Sequence, residues 1–162
     1  MSIQKVALGG GCHWCTEAVF QQLRGVGQVC QGYVRSTGEN SNFSEAIIVH
    51  YDAEIISLSK LIEIHLYTHK STSNHSFRVK YRSAVYYYTQ SQKVEVDKIL
   101  LYHQKKFNKN IITRALPLHQ FKESREEIQD YYNKDPNKPF CRTYIAPKLQ
   151  ILLSQFTDNL DL

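Results

Sequence analysis

No run of apolar residues in this 162-residue chain approaches the roughly 20 needed to cross a bilayer as a helix. A charged-then-apolar leader is missing from the N-terminus, so the expectation is a cytoplasmic protein with no membrane partner. Cysteine is scarce: Cys12, Cys15, Cys30 and Cys141 are too few for a disulfide scaffold in a chain long enough to bury a core without staples. In a reducing compartment such cysteines serve redox chemistry, hold a metal, or do neither. A zinc site lacks its other ligands, because no second C-x-x-C accompanies Cys12 and Cys15, and the histidines at 65, 69 and 75 follow no ligand spacing. Internal repeats, low-complexity segments and linkers are absent, and one domain over residues 1–162 is expected. Lys and Arg number 20 against 15 Asp and Glu, an excess that would suit nucleic acid only if concentrated. The one cluster, Lys105, Lys106 and Lys109, reads as a solvated helix face, and no nucleic-acid partner is expected.

What remains is the periodicity of a soluble α+β protein. Residues 3–8 read as a buried strand and residues 12–23 as a helix ended by Gly25 and Gly27. A second strand is expected at 29–34, a turn at 35–42, and a β-branched third strand at 45–51. Ser57 caps a helix whose Leu58, Leu61, Ile62, His65 and Leu66 share one face. A polar loop at 69–80 leads to an alternating aromatic strand at 81–88, then to a long helix at 91–107. A fifth, edge strand at 111–115 precedes Pro117. The tail suggests a short helix near 124–132, a loop at 135–141 and a last helix at 147–156. Strand, helix, strand, strand, helix, strand is the order of a two-layer split βαβ (ferredoxin-like) sandwich, here with a C-terminal helical and loop extension.

The chemistry concentrates in G9-G-G-C-H-W-C-T-E17. Three glycines can take backbone angles closed to other residues, so the chain can fold back and present Cys12 at a helix start. Unpaired N–H groups and the helix dipole there favour an anion, which makes such a thiol more acidic and more reactive. Cys15 stands three residues on, close enough for a small shift of the first turn to close a disulfide. Thiol redox chemistry competes here with an inert core pair and with a metal site.

The substrate is not legible from spacing, but G11-C-H-W-C-T-E-A-V-F20, L23-R-G-V26 and G32-Y33 resemble the signature of the A-type peptide methionine sulfoxide reductases. E45-A-I-I-V-H-Y-D52, Y81-R-S-A-V-Y86 and the run from Asp130 through K134-D-P to F140-C141 are similar to later blocks of that family, in the family's order. The resemblance implies the same split βαβ core and reduction of methionine S-sulfoxide in oxidised proteins or free, a repair of oxidative damage. It assigns Cys12 as nucleophile, Glu45 as the acid, and Tyr81 as a hydroxyl that holds the sulfoxide oxygen. His13 and Trp14 match the walls of the pocket for the substrate methyl group, and Phe43, two places before Glu45, belongs to the same substrate site. A thiolate displaces sulfoxide oxygen only as that oxygen is protonated, which a nearby carboxylic acid can do. The implied product on Cys12 is a sulfenic acid that condenses with a second thiol. Cys15, one turn away, is preferred for that step over Cys141, which matches a position where many family members keep a resolving cysteine. No bound cofactor is expected; thioredoxin or another dithiol would be the reductant, and the protein is expected to be a monomer.

The chain departs from the family pattern at several places. Cys15 replaces a glycine, His13 a phenylalanine and Phe43 a histidine, while the loop after Tyr33 is shortened and lacks a substrate-holding tyrosine. Ser76 matches an aspartate. Two other readings stay open at this point: a general dithiol–disulfide oxidoreductase using Cys12 and Cys15, and a basic binding module without catalysis.

Overall fold

The computed structural model describes residues 1–161. Its core is the expected interleaving of two strand–helix–strand units: β1 (Ile3–Gly9), α1 (His13–Gln21), β2 (Val26–Arg35), β3 (Ser44–Asp52), α2 (Leu58–Thr68) and β4 (Ala84–Tyr87). β1 pairs antiparallel with both β3 and β4, and β2 pairs antiparallel with β3. After α3 (Gln90–Gln104), β5 (Arg114–Pro117) adds parallel to β4, and β6 (Gln120–Glu123) adds antiparallel to β2. The sheet order is therefore β5-β4-β1-β3-β2-β6. Its inner four strands are those of the split βαβ sandwich.

Strand alternation divides the sheet between two cores. Val6, Leu8, Ile47, Val49 and Val85 face the helix layer and pack with Val19, Phe20, Leu61, Ile62 and Leu66. Ala7, Ala46, Ile48, Ala84 and Tyr86 face the other way, against Val34, Leu116 and the half-buried Phe121. Ser57 caps α2 as expected, its hydroxyl accepting the Lys60 N–H at 3.0 Å. A third cluster joins Cys15 and Ala18 of α1 to Cys141 and Ile145 of the C-terminal segment. This segment comprises α4 (Tyr131–Lys134), a π-helical stretch (Cys141–Ile145) and α5 (Ala146–Gln155), and it wraps the outside of α1.

Several boundaries differ from expectation. The fourth strand begins at Ala84, not at Tyr81, because the Lys80 carbonyl is taken by the Glu45 N–H (2.9 Å) and the Ser44 hydroxyl (2.9 Å). Residues 80–82 thus cross the end of β3 instead of extending the ladder. The fifth strand is an edge strand, as expected, but it sits later and ends on Pro117, whose missing N–H is harmless at an edge. β6 was not anticipated. The single helix expected near 124–132 is a 3₁₀ turn (Glu126–Ile128) and then α4, separated at Asp130, whose φ of 56° is left-handed. The N–H groups of Asp130 and Tyr131 donate instead to the buried Glu17 carboxylate, at 2.9 and 3.2 Å.

Candidate active site

The turn between β1 and α1 is tight for a different reason from the one its glycines suggested. None of Gly9, Gly10 and Gly11 has a positive φ. What Gly9 and Gly10 supply is space. A Cβ on Gly9 would lie 3.0 Å from the Arg82 carbonyl oxygen and 3.1 Å from that of Glu45, and one on Gly10 would lie 2.5 Å from the His69 ring. Arg78 locks the turn: its guanidinium donates to the carbonyls of Gly10 (2.9 Å), Tyr81 (2.8 Å), Ser73 (2.9 Å) and Lys70 (2.6 Å). One side chain in the polar 69–80 loop therefore ties the cysteine turn to Tyr81. A lone arginine in a polar run carries no sequence signal for such a clamp.

Cys12 is the N-cap residue of α1, and its carbonyl accepts the N–H groups of Cys15 (3.0 Å) and Thr16 (3.1 Å). Its thiol is more acidic than an ordinary cysteine. The first cause is a hydrogen bond from the Cys15 thiol, with the N–H groups of Trp14 and Cys15 adding to it against burial and the Glu45 charge. The helix start contributes, as expected, but the partner thiol contributes more. Cys15 pays the reciprocal cost: donating to Cys12, together with burial, pushes its own ionisation far up.

Glu45 enters near the start of β3, only 6% exposed, with its N–H fixed to Lys80. Its Oε1 accepts the His13 N–H at 3.1 Å and lies 3.6 Å from His13 Nε2, while its Oε2 lies 3.6 Å from Lys80 Nζ. The His13 ring is oriented from its far side, where Nδ1 donates to the Gly32 carbonyl at 2.9 Å. Burial lowers the His13 pKa, with Glu45 opposing, so the ring is neutral at pH 7 and turns the Nε2 lone pair toward Glu45. The indole of Trp14 stacks on Tyr131 at 4.1 Å and meets Phe140 edge-on at 5.1 Å. Tyr131 is held there by the Glu17 carboxylate, which also accepts from Gln31 at 2.9 Å.

Six of the eight residues selected from the sequence, Cys12, His13, Trp14, Phe43, Glu45 and Tyr81, line one cleft of about 500 Å³. Tyr33, Lys80, Arg125, Ile128 and Phe140 complete it without having been singled out. Tyr33, inside the quoted G32-Y33 pair, stands edge-on to His13 at 5.1 Å. Lys80 adjoins Tyr81 and holds its ammonium 5.1 Å from that ring. The other two residues lie behind the cleft. Cys15 is buried under Cys12, and Cys141, fully buried, packs in the same cluster while its thiol donates to the Asp135 carbonyl at 3.6 Å. Cys12 also borders a second, larger cleft of about 810 Å³, shared with Gly10, Cys15, His69 and Lys148.

A thiolate, a carboxyl group and a phenol gathered beside aromatic walls suit nucleophilic attack on a small polar group carrying an apolar substituent. The family model for peptide methionine sulfoxide reductase matches residues 4–160. The peptide methionine sulfoxide reductase MsrA of Trichodesmium erythraeum is 33% identical over 97% of this chain and 98% of its own length. That of Psychrobacter sp. is also 33% identical, over 95% and 97%. Among solved structures, reduced Mxr1 from Saccharomyces cerevisiae superposes with a TM-score of 0.74 at 22% identity, covering 88% of this chain and 91% of that one. Mxr1 in complex with Trx2 gives 0.61 at 21%, covering 78% and 84%. The chain belongs to the A-type peptide methionine sulfoxide reductases, and it is an oxidoreductase.

Proposed function

We propose that the protein reduces methionine S-sulfoxide by attack of the Cys12 thiolate on the sulfoxide sulfur, with Glu45 supplying the proton to the departing oxygen. The observation that carries this reading is the convergence of Cys12, Glu45 and Tyr81 on one cleft with aromatic walls. A bond forms between Cys12 and the substrate sulfur as the sulfur–oxygen bond breaks and the protonated oxygen departs as hydroxide. The hydroxide then attacks the Cys12 sulfur, the sulfur–sulfur bond breaks, methionine leaves, and Cys12 is left as a sulfenic acid. Tyr81 and Lys80 stand where they can hold the oxygen as its charge grows. Trp14, fixed by Tyr131 and Phe140, gives a rigid apolar wall for the methyl group, while His13 and Tyr33 shape the opposite side.

Resolution follows from the thiols already in contact. The Cys15 thiol is hydrogen-bonded to Cys12, whereas Cys141 lies behind it and is bonded to Asp135. Condensation of the sulfenic acid with Cys15 forms a disulfide and releases water, and a thioredoxin-type dithiol then reduces it. That Mxr1 has been solved in complex with Trx2 supports such a partner. The family match over residues 4–160 supports a single catalytic domain, placed in the cytoplasm in this proposal. Turnover of both epimers of a sulfoxide substrate, coupled to reductant consumption, tests the reading. Turnover of the S epimer is expected; no turnover, or turnover of the R epimer alone, sinks it. Insulin reduction that survives Glu45→Gln would favour a general dithiol oxidoreductase, because disulfide exchange has no oxygen to protonate.

A further inference from the structure

The chemistry just described leaves one half-buried lysine without a task. Lys148, near the start of α5, reaches toward the glycine turn, its Nζ 4.0 Å from where a Cβ on Gly11 would stand. It donates to the Thr68 carbonyl and lines the second cleft beside Cys12 and Cys15. No carboxylate of the described residues pairs with it. The charged groups that face it are the cations Lys70 and Arg78, and the acids that face it are the thiols of Cys15 and Cys12. Partial burial without a carboxylate partner disfavours the charged form of its amine. Its pKa is lowered by burial, against the opposing charges of Cys15 and Cys12, and Lys70 and Arg78 add to the lowering.

Resting on the reductase reading, we propose that Lys148 is the base that removes the Cys15 proton when Cys15 attacks the Cys12 sulfenic acid. The step balances without any outside reagent. The Cys15 thiol loses its proton to Lys148, the sulfur–sulfur bond forms as the Cys12 sulfur–oxygen bond breaks, and the departing hydroxide takes the proton from Lys148 to leave as water. Cys15 needs such help, because burial opposes the ionisation of its thiol. The buried histidines and the arginine nearest the glycine turn are poor substitutes for the lysine. His65 and His69 use ring N–H groups on the carbonyls of Gly9 and His65, and burial holds His65 at about 3 and His69 well below the ordinary histidine range. Arg78 is committed to four carbonyls. A lysine can give up a proton and take one, a task that a fixed guanidinium cannot perform.

The test is a single-turnover experiment without reductant, following methionine release and the lifetime of the Cys12 sulfenic acid by chemical quench, dimedone trapping and mass spectrometry. In Lys148→Met, one equivalent of methionine is still expected, with disulfide formation slowed at least tenfold relative to wild type, by about 1.4 kcal/mol. Its rate should rise steadily with pH instead of levelling off, as Cys15 comes to ionise unaided. Lys148→Arg should not restore it, since guanidinium does not give up its proton. The wild-type step itself should show a normal solvent deuterium isotope effect, a readout that needs no variant to fold. Wild-type disulfide formation in Lys148→Met, full rescue by arginine, or no isotope effect would overturn the proposal. Failure of the wild type to release methionine would instead strike the reductase reading.

Discussion

The cleft that holds Glu45 and the cleft that holds Lys148 meet at Cys12, and their chemistry is opposite. On the first side a buried carboxyl group is surrounded by His13, Tyr81, Tyr33 and Trp14. On the second stand the amines of Lys148 and Lys70, with His69 and the backbone of the glycine turn. One side can hand a proton to a leaving oxygen, and the other can take a proton from an attacking thiol. Both demands arise in the proposed cycle. Cys12, at the start of α1, borders both clefts.

Substitutions on each side should break different half-cycles. The largest effect belongs to the acid: Glu45→Gln should lower the rate of methionine formation by about 10²–10⁴-fold, while leaving Cys12 open to alkylation by iodoacetamide. Loss of methionine formation together with loss of alkylation would mean a damaged fold, which circular dichroism would show. Next comes Cys15→Ala, which should still release one equivalent of methionine but stall afterwards. Because the Cys15 thiol is the main group lowering the Cys12 pKa, the midpoint of the alkylation pH profile should also move upward in that variant. An unchanged midpoint would return the credit to the helix start alone.

A third substitution acts on the wall of the first cleft. Glu17→Ala strands the N–H groups of Asp130 and Tyr131, at a cost of about 1–3 kcal/mol for each buried donor left unpaired. Denaturant unfolding should show the loss. Trp14 is the only tryptophan and stacks on Tyr131, so its fluorescence should change in the native state as well. Unaltered fluorescence would show that Tyr131 keeps its place without Glu17. The smallest effect is expected for His13→Phe, about tenfold or less near neutral pH, because the neutral ring carries no charge there. Its signature is the pH profile. His13 has a lowered pKa, so it becomes a cation only below the ordinary histidine range. An imidazolium there would pair with Glu45 and compete with proton delivery. Wild-type activity should therefore fall at acid pH, and the phenylalanine variant should fall less.

The sequence and the structure agree where the signal is local. The α1 start with Cys12, the capped face of α2 and the β-branched third strand all lie within short periodic segments, and each formed near its expected place. Glu45 is assigned as the acid through the family resemblance, and it lies near the start of that strand. What escaped depends on partners far along the chain. Glu17 and Gln31 meet residues 124–131 across about a hundred positions, and that meeting breaks the expected helix at Asp130. Tyr81 lost its strand because Ser44 and Glu45 compete for the Lys80 carbonyl. β6 has only four residues and no run long enough to show alternation. Lys148 reads in the sequence as an ordinary basic residue of an amphipathic helix. Only the packing of α5 against α1 reveals it as half-buried in a cleft shared with two thiols.

The central claim is that Cys12 is oxidised from the Glu45 side and resolved by Cys15 on the other. One turnover with an S-sulfoxide in the absence of reductant, followed by mass spectrometric mapping of the cysteines, addresses it directly. The account predicts one equivalent of methionine and a Cys12–Cys15 disulfide, with Cys141 still a free thiol. A Cys12–Cys141 disulfide with Cys15 left reduced would contradict it.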